Sequence, residues 1–495
     1  MTDILFTHSY FLRFDPKEYE AMTPYPPLGT LYAAAVAREA GYTVALFDTM
    51  LAESEQELVA ALEEHTPRYV VIYDDDFNYL TKMCLTRMRE AAFRMARIAT
   101  DFGATVIVHS SDATDHIDQY TDNGVHYILV GEAEQTLTDL ITLLQSESEQ
   151  KPEDIPGVAW RDAQKNIRRG PKRPVSRDLD ALPYPARDLV DIERYRTVWK
   201  ERHGYYSINM VTTRGCPFHC NWCAKPLYGQ VYNSHSPQRI AHEMLQAKEN
   251  WNPDHIWFCD DIFGLKPGWI EALADEVEKL DCRIPFKCLS RADLLLRGNT
   301  VEALRRAGCE TVWMGAESGS QEILDAMDKG TTVEEIREAT ARLKAAGIRV
   351  GFFLQFGYPG EEAPEIRETL RMLRTTMPDE IGISVSYPLP GTPFYERVRA
   401  EMGAKQNWSE SADLAMMYRG TYSTEFYRAL SRYVHMDHRL RLARASLLRT
   451  LRSFSKPETR ELRRIYLMPY YLIFRMLHRI MLSVRRRPAH SHSVR

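Results

Sequence analysis

Short runs of β-branched and aromatic residues alternate with amphipathic helical patterns along residues 1–150. The runs predict strands at Asp3–Thr7, Thr43–Phe47, Tyr69–Tyr73, Thr105–His109 and Tyr127–Val130. The segments between them predict helices at Leu28–Ala40, Glu55–His65, Leu80–Phe102 and Ala133–Leu144. This alternation predicts an α/β domain whose parallel sheet is covered by helices on both faces. Ligands of such sheets bind at the carboxyl ends of the strands.

The pattern changes over residues 151–204, which we interpret as an ordered linker. It combines a predicted hairpin (Gly157–Trp160 and Asn166–Arg169) with the Pro-containing stretch Leu179–Ala186. Over residues 205–403, six strands are predicted at Tyr206–Thr212, His255–Cys259, Phe286–Leu289, Thr311–Gly315, Val350–Phe356 and Ile381–Ser386. Six βα units predict an incomplete (β/α) barrel whose chemistry lies on the loops after the strands. Residues 404–495 are mainly helical in pattern.

Composition and charge narrow the class of protein. A chain of 495 residues with 44% hydrophobic residues is long enough for several globular domains. It has no apolar run long enough to span a membrane, and its first residues, MTDILFTHSY, do not predict a secretory signal. Eight Cys in such a chain do not make a disulfide scaffold. We therefore expect a cytoplasmic protein.

Three of the cysteines fall close together in the loop after the first barrel strand. Cys216, Cys220 and Cys223 have the spacing C-x3-C-x2-C. Three thiolates can bind one [4Fe–4S] cluster and leave the fourth iron open for a substrate. The alternative is a zinc site completed by His219 or His235. Cys259, Cys282, Cys288 and Cys309 are irregularly spaced and are expected to be buried apolar residues, whereas Cys84 stands alone in the N-terminal domain.

This cysteine loop resembles the cluster-binding loop of the radical S-adenosylmethionine (SAM) superfamily, including the aromatic Trp222 before the last Cys. The resemblance continues in register along the barrel, through Phe258–Gly264, Ser290–Asp293, Gly315–Gly319, Gly357–Glu361 and Tyr387–Pro393. It implies a partial (β/α)6 radical SAM barrel with a cluster on the three cysteines. The implied SAM-binding residues are Trp222, Asp260, Asp261, Arg291, Glu317, Ser318 and Gly357. Carboxylates suit the ammonium and ribose of SAM, and a guanidinium suits its carboxylate. The alternative role for the acids is helix capping.

An α/β domain before such a barrel resembles the cobalamin-binding class of the superfamily. The matching segments are Pro26–Ala34, Gly41–Val44, Val130–Thr136 and Leu182–Arg187. The resemblance implies a Rossmann-like, flavodoxin-like domain that contacts cobalamin through Gly29, Thr30, Asp48, Tyr73, Asp74, Gly131 and Glu132. None of the 15 His is preceded two residues earlier by Asp, so the Asp-x-His-x-x-Gly motif is missing. Either cobalamin binds without a protein imidazole or the domain binds none.

The resemblance implies an enzyme that generates a 5′-deoxyadenosyl radical and transfers a methyl group from cobalamin to an unactivated carbon of a hydrophobic substrate. A flavodoxin or ferredoxin is the implied reductant. One alternative is an oxidative cyclase or other radical rearrangement, as in the anaerobic magnesium-protoporphyrin monomethyl ester cyclase, which has the same domain order. Another is an iron–sulfur or cobalamin sensor without turnover.

The C-terminal tail is basic and amphipathic. Residues 439–495 contain fifteen Lys or Arg and two Asp or Glu, and Leu462–Arg487 interleaves Arg with apolar and aromatic residues around Pro469. One interpretation is a peripheral contact with the inner face of the membrane. The other is a helix packed on the barrel. Nucleic acid is not an expected partner, because the arginines alternate with long aliphatic residues.

Overall fold

The structure is a computed structural model that describes residues 2–83, 85–146, 151–225, 227–453 and 459–485. The chain divides into two compact units. The first contains Met1–Pro217, Ala224–Cys288 and Asn407–Asp413. The second contains Phe218–Cys223, Leu289–Gln406 and Leu414–Arg495.

The first sheet lies in the first unit and has seven strands in the order β2-β1-β3-β4-β5-β6-β7. The strands are β1 (Ile4–Thr7), β2 (Val44–Phe47), β3 (Tyr69–Tyr73), β4 (Thr105–His109), β5 (Tyr127–Leu129), β6 (Val158–Arg161) and β7 (Ile167–Arg169). The first five are parallel, as predicted. The hairpin β6–β7, which we placed in a linker, extends this sheet with two antiparallel strands.

Helices cover both faces of the first sheet. They are α1 (Pro16–Ala21), α2 (Leu28–Glu39), α3 (Leu58–His65), α4 (Tyr79–Lys82), α5 (Thr86–Phe102), α6 (Ser111–Asp115), α7 (Ile117–Asp122) and α8 (Glu134–Gln145). Successive residues of β3 point to opposite faces of the sheet and pack in two separate hydrophobic cores. Val70 and Ile72 belong to one core, and Tyr69 and Val71 belong to the other. Strands buried on both faces explain the continuous apolar runs in the sequence.

The prediction of one helix at Leu80–Phe102 was wrong. The segment forms α4 and α5, and Leu85 between them has an extended backbone. Thr86 N donates a hydrogen bond to Trp408 O at 2.9 Å, so a contact with a distant segment fixes the start of α5.

The second sheet has six strands in the order β8-β11-β12-β13-β14-β15. Its strands, together with the short ribbon β9–β10, are β8 (Ser207–Met210), β9 (Thr213–Arg214), β10 (Asn233–Ser234), β11 (His255–Phe258), β12 (Phe286–Ser290), β13 (Cys309–Glu317), β14 (Arg349–Phe356) and β15 (Glu380–Val385). The strands for which a register is defined pair in parallel. This sheet confirms the predicted incomplete barrel.

Helices separate the strands of the second sheet and form the C-terminal region. They are α9 (Ile192–His203), α10 (Pro237–Asn250), α11 (Trp269–Lys279), α12 (Ala292–Leu295), α13 (Thr300–Ala307), α14 (Gln321–Ala326), α15 (Val333–Ala345), α16 (Ala363–Thr376), α17 (Pro393–Val398), α18 (Thr424–Ser453), α19 (Thr459–Tyr466) and α20 (Met468–Arg485). Single 3₁₀ turns lie at Leu12–Phe14, Glu55–Glu57, Pro152–Asp154, Arg187–Leu189 and Arg399–Glu401. The helical C-terminal region was predicted.

In the second unit, α20 packs on α18. Leu440 and Ala443 of α18 form a small core with Tyr471 of α20. Asp437 of α18 accepts hydrogen bonds from Arg441 on its own helix and from Arg475 of α20. Among the described residues, no helix is both long and apolar enough to cross a membrane.

The Asp437 cluster predicts how α20 is held. Asp437→Asn removes the charge that Arg441 and Arg475 share, and we expect a loss of about 2 kcal/mol in the stability of the unit. Hydrogen exchange measures this loss, and the backbone amides of Met468–Arg485 should exchange faster in the variant. Glu334→Gln, which removes an exposed pair with Arg337, is the control and should change little. Unchanged exchange in Asp437→Asn would contradict this role.

Candidate active site

The cysteine loop, residues 213–224, begins in the first unit at β9. Gly215 has φ +83°, and a Cβ at this position would lie 2.3 Å from Val231 O. Only glycine fits a turn that is left-handed and this close to another backbone. The loop thus reaches Cys216 through a fixed turn.

Asp260 holds the start of the loop. It follows β11 and is 1% exposed. Its Oδ1 accepts hydrogen bonds from Thr212 N at 2.8 Å and from the Thr213 hydroxyl at 2.7 Å. Burial raises the pKa of Asp260 to about 6, although these hydrogen bonds oppose the rise. Its Oδ2 is buried without a partner among the described residues, so one carboxylate oxygen remains for a ligand.

Asp261, the neighbouring predicted SAM contact, forms an ion pair in the first unit. Its Oδ1 lies 2.6 Å from Lys82 Nζ, and its side chain is 40% exposed. Lys82 was not identified from the sequence. The pair ties the start of this barrel loop to α4.

The second half of the cysteine loop lies in the second unit, where Arg291 packs on it. The Arg291 guanidinium lies 3.6 Å from the centroid of the Phe218 ring. Its Nη1 lies 4.0 Å from Cys220 Sγ, and its Nε donates to Asp293 at 2.9 Å. Arg291 therefore places a positive charge beside a predicted cluster ligand.

Asn221 anchors the middle of the loop. Its Nδ2 donates to Asp328 Oδ2 and its Oδ1 accepts from the Tyr358 hydroxyl, both at 2.8 Å. Its backbone N–H bonds to Met327 O. Tyr358 belongs to the Gly357–Glu361 motif, so two motifs of the resemblance meet here.

Glu317 forms a buried ion pair with Lys329, at 2.8 Å between Oε1 and Nζ. Glu317 lies at a bulge of β13 and has φ +55°, a strained conformation for a side-chain residue. Burial disfavours the Lys329 ammonium, but the charges of Glu317 and Cys220 outweigh it and raise the pKa of Lys329. Lys329 also lies 6.0 Å from the Trp222 ring, whose Nε1 is buried without a partner among the described residues. Lys329 was missed in the sequence.

Ser318 and Gly357 are the other predicted SAM contacts in the second unit. Ser318 is fully buried and its hydroxyl lies 3.2 Å from the Thr369 hydroxyl. Gly357 N donates to Glu361 Oε2 at 2.6 Å. Glu361 is fully buried, its Oε1 has no partner among the described residues, and burial raises its pKa to about 8. Glu361 ends the Gly357–Glu361 motif, but it was not among the predicted SAM-binding residues.

The predicted cobalamin contacts lie in the first unit, at the carboxyl ends of the first sheet. The Thr30 hydroxyl donates to Tyr73 O at 2.6 Å, and Gly29 N donates to Asp75 Oδ1 at 2.9 Å. Asp74 accepts from Ser9 N at 2.7 Å, and burial raises its pKa to about 6. The structure thus brings four of the predicted residues to one edge.

Asp48 follows β2 at the same edge. It lies 2.9 Å from His8 Nε2 and accepts from the Tyr195 hydroxyl at 2.6 Å. Burial would raise the pKa of Asp48, but the hydrogen bond and charge of His8 lower it overall. The sequence identified Asp48 but neither His8 nor Tyr195, its two partners.

Glu132 and the neighbouring turn residue Gly131 follow β5. Glu132 and Glu134 both bind the guanidinium of Arg214, which is buried and lies over the rings of Tyr32 and Tyr228. Arg214 comes two residues before Cys216. The base of the cysteine loop is therefore fixed to the edge of the first sheet.

Two further buried residues at this edge, His109 and Tyr228, were not identified from the sequence, and both contact Asp76 of the acidic run Asp74–Asp76. His109 Nε2 lies 2.9 Å from Asp76 Oδ1, and the Tyr228 hydroxyl donates to Asp76 Oδ2 at 2.9 Å. Burial lowers the pKa of His109, but the Asp76 carboxylate outweighs it and the net shift is upward. A single His or Tyr in these positions carries no readable pattern.

The thiols and unpaired polar atoms of the two regions fit the cluster, SAM and cobalamin that the resemblance implies. The described cysteines carry thiols rather than disulfides. Orphaned polar atoms on Asp260, Trp222 and Glu361 lie on motifs that the resemblance assigns to SAM. At the edge of the first sheet, the buried hydroxyls of Thr7, Tyr10, Tyr32 and Tyr73 have no partner among the described residues. Native interiors rarely leave so many such groups unpaired, so both regions fit polar ligands.

His219 and His235, the two candidate fourth ligands of the alternative zinc site, lie in different environments. His219 is exposed, whereas His235 is buried with Nδ1 at 3.1 Å from Asp180. Burial lowers the pKa of His235 to about 4. Within the described ranges, no three Cys, His, Asp or Glu side chains are already gathered as a metal site.

Comparison with known proteins identifies the class. Residues 210–373 match the family model of the Radical SAM superfamily. This part of the chain is a radical SAM domain, and the protein is a radical SAM enzyme, as the motifs predicted. Such a domain uses a [4Fe–4S] cluster and SAM and needs an external reductant.

Relatives cover more of the chain. An uncharacterized methyltransferase of Pyrococcus horikoshii is 26% identical over 75% of this chain and 78% of that protein. The anaerobic magnesium-protoporphyrin IX monomethyl ester cyclase of Rubrivivax gelatinosus is 24% identical over 55% of this chain and 48% of the cyclase. The chain therefore matches less than half of the cyclase.

A solved structure shares the fold. The cobalamin-dependent SAM radical enzyme OxsB, with aqua-cobalamin and SAM bound, superposes with a TM-score of 0.71 and 17% identity. The match covers 98% of this chain and 75% of OxsB. It confirms the predicted order of an α/β domain, a partial barrel and a helical region.

Glu361 gives a prediction on pH. Because its pKa rises from 4.5 to about 8 on folding, the folded protein keeps a proton that the unfolded chain has released, and stability falls as pH rises through this range. Glu361→Gln should remove this cost. The thermal midpoint of the variant minus that of the wild type should therefore increase from about pH 5 to about pH 9. Glu368→Gln, on the exposed face of α16, is the control. Parallel profiles of wild type and Glu361→Gln would contradict the assignment.

Proposed function

We propose that this protein is a cobalamin-dependent radical SAM methyltransferase that methylates an unactivated carbon of a hydrophobic substrate. The observation that carries the proposal is the Cys216, Cys220 and Cys223 loop within the radical SAM domain. The preceding α/β domain, the fold of OxsB and the methyltransferase of P. horikoshii support the cobalamin and methyl-transfer parts.

The three thiolates would hold the cluster, and Arg291 would stabilise their negative charge. A cluster bound there would, when reduced, supply the electron for reductive cleavage of SAM. The free oxygen of Asp260 and the Glu317–Lys329 pair would orient the ammonium, ribose and carboxylate of SAM. Buried Glu361, protonated at neutral pH, would hold the Gly357 turn and keep one oxygen for a hydrogen bond. A flavodoxin or ferredoxin would supply the electron.

The edge of the first sheet would hold cobalamin, which supplies the methyl group. Gly131, where a Cβ would have only Leu227 O nearby, at 3.8 Å, would let the corrin approach the backbone. The unpaired hydroxyls at this edge, including that of Tyr73, would bind its amides. His8 and His109 are both bound to carboxylates. Both histidines would therefore stay with their carboxylates, in line with the missing Asp-x-His-x-x-Gly motif.

A second candidate function is oxidative cyclisation or another radical rearrangement. The match to the R. gelatinosus cyclase favours it. The two functions differ in the product, because methyl transfer adds one carbon from SAM and cyclisation adds none.

The test is an anaerobic host, supplemented with cobalamin and methyl-labelled methionine, with and without the gene. Untargeted mass spectrometry of lipid and polar extracts should show a new species heavier by one methylene unit that carries the label. An unlabelled product altered in oxygen or hydrogen would favour the second candidate.

Cysteine variants test the cluster assignment in the same host. Cys216→Ala, Cys220→Ala and Cys223→Ala should each abolish SAM cleavage, because each removes one of three ligands. Cys309→Ala, at a buried position in β13, is the control and should retain it. Turnover in any of the three loop variants would refute the assignment. Cys84→Ala should also leave the cluster intact, although Cys84 lies outside the described residues.

We also propose that α20 lies on an anionic membrane surface. Its side chains Ile473, Met476, Ile480 and Val484 are 56–71% exposed and follow one helical face. Tyr471, on the opposite side, is buried against α18. The excess of arginine in residues 439–495 complements anionic lipid headgroups.

Vesicle sedimentation tests the membrane contact. The wild type should sediment with phosphatidylglycerol vesicles and not with phosphatidylcholine vesicles, and Ile473→Asp/Ile480→Asp should lose most of the binding. Ile167→Asp, at an exposed apolar position of β7, is the control. These variants are cleaner than deleting residues 460–495, which would uncover Leu440 and Ala443. Equal binding by the α20 variant would overturn the proposal.

A further inference from the structure

A cavity of about 600 Å³ lies in the second unit, between the amino end of β15 and the helices α18, α19 and α20. Its volume is in the range of small-molecule sites. Asp379, Glu380 and Ile381, at the amino end of β15, form one wall. Chemistry on barrel-like folds takes place at the opposite, carboxyl ends of the strands. The cavity is therefore separate from the proposed active site.

One buried polar atom in this cavity lacks a partner. His438 of α18 lines the cavity and is 6% exposed, and its Nε2 makes no hydrogen bond within the described part of the chain. Burial lowers the pKa of His438 to about 4, so the imidazole is neutral at pH 7. A neutral imidazole nitrogen that is buried and unpaired needs a ligand atom to satisfy it.

The charges on the wall favour an anion. Three arginines, Arg439, Arg463 and Arg464, and two acids, Asp379 and Glu380, line the cavity. Asp379 Oδ2 already accepts a hydrogen bond from Val350 N at 2.9 Å. The guanidinium groups of Arg439 and Arg463 have no ion-pair partner in the described ranges. Two unpaired guanidinium groups beside an apolar cavity suit a phosphate or carboxylate.

The rest of the wall is apolar and aromatic. Trp313, Leu442, Leu467 and Tyr471 contribute most of it. We propose that this cavity binds an anionic amphiphile, a molecule with a phosphate or carboxylate head on a hydrocarbon body. The head contacts Arg439, Arg463 and His438, and the body lies against Trp313 and the two leucines.

Isothermal titration calorimetry of the full chain tests the ligand class. Octyl phosphate and octanoate carry the two head groups, whereas 1-octanol and inorganic phosphate each lack one half of the ligand. We expect at least one of the two amphiphiles to bind about tenfold or more tightly than either half, and the tighter one identifies the head group. No binding by either amphiphile, or equal binding by 1-octanol, would overturn the proposal.

Variants locate the site. Arg439→Gln, Arg463→Gln and His438→Leu should each weaken binding about tenfold. Arg479→Gln, on α20 outside the cavity, and Ile480→Asp, on its exposed face, should leave binding unchanged. Since the two arginines are exposed, their variants remain informative if His438→Leu fails to fold. Unchanged affinity in both arginine variants, or a loss in Ile480→Asp, would refute this location.

Discussion

The cysteine loop depends at its base on one buried cation, Arg214. A guanidinium cannot lose its proton, so it is stable inside a protein only when carboxylates compensate its charge. Glu132 and Glu134, which follow β5, supply two, and the surrounding aromatic rings exclude water. The position of Cys216 is thus tied to the folding of the α/β domain. The base of the cysteine loop and the loop after β5 therefore stabilise each other.

The second half of the loop is held by other means in the second unit. Arg291 packs on Phe218 beside Cys220, and Asn221 bonds to Asp328 and Tyr358. The partners come from the loops after three strands of the barrel. A loop with three ligands and little secondary structure of its own gains its order from these side chains, because its backbone offers few hydrogen bonds to itself.

Both candidate binding regions contain groups that cost free energy in the protein alone. Glu317 has a left-handed backbone conformation, and Glu361 and Asp74 are buried acids with raised pKa values. Such costs concentrate at functional sites, where a ligand can compensate them. The cavity at the amino end of β15 shares this property through His438, whose Nε2 is buried without a partner among the described residues.

The sequence by itself determined the strands and the motif positions. Tyr69–Tyr73 and Thr105–His109 are buried on both faces, so their apolar runs were readable, and Asp260 could be placed because it directly follows a strand. Only the tertiary structure decided where α5 begins, that the hairpin β6–β7 joins the first sheet, and that Lys329 and Glu361 belong to the candidate site. The reason is physical: periodicity and turn residues act between chain neighbours and leave a local pattern. Pairs such as Glu317 and Lys329, or Thr86 and Trp408, are chosen by packing between segments that carry no local signal of each other.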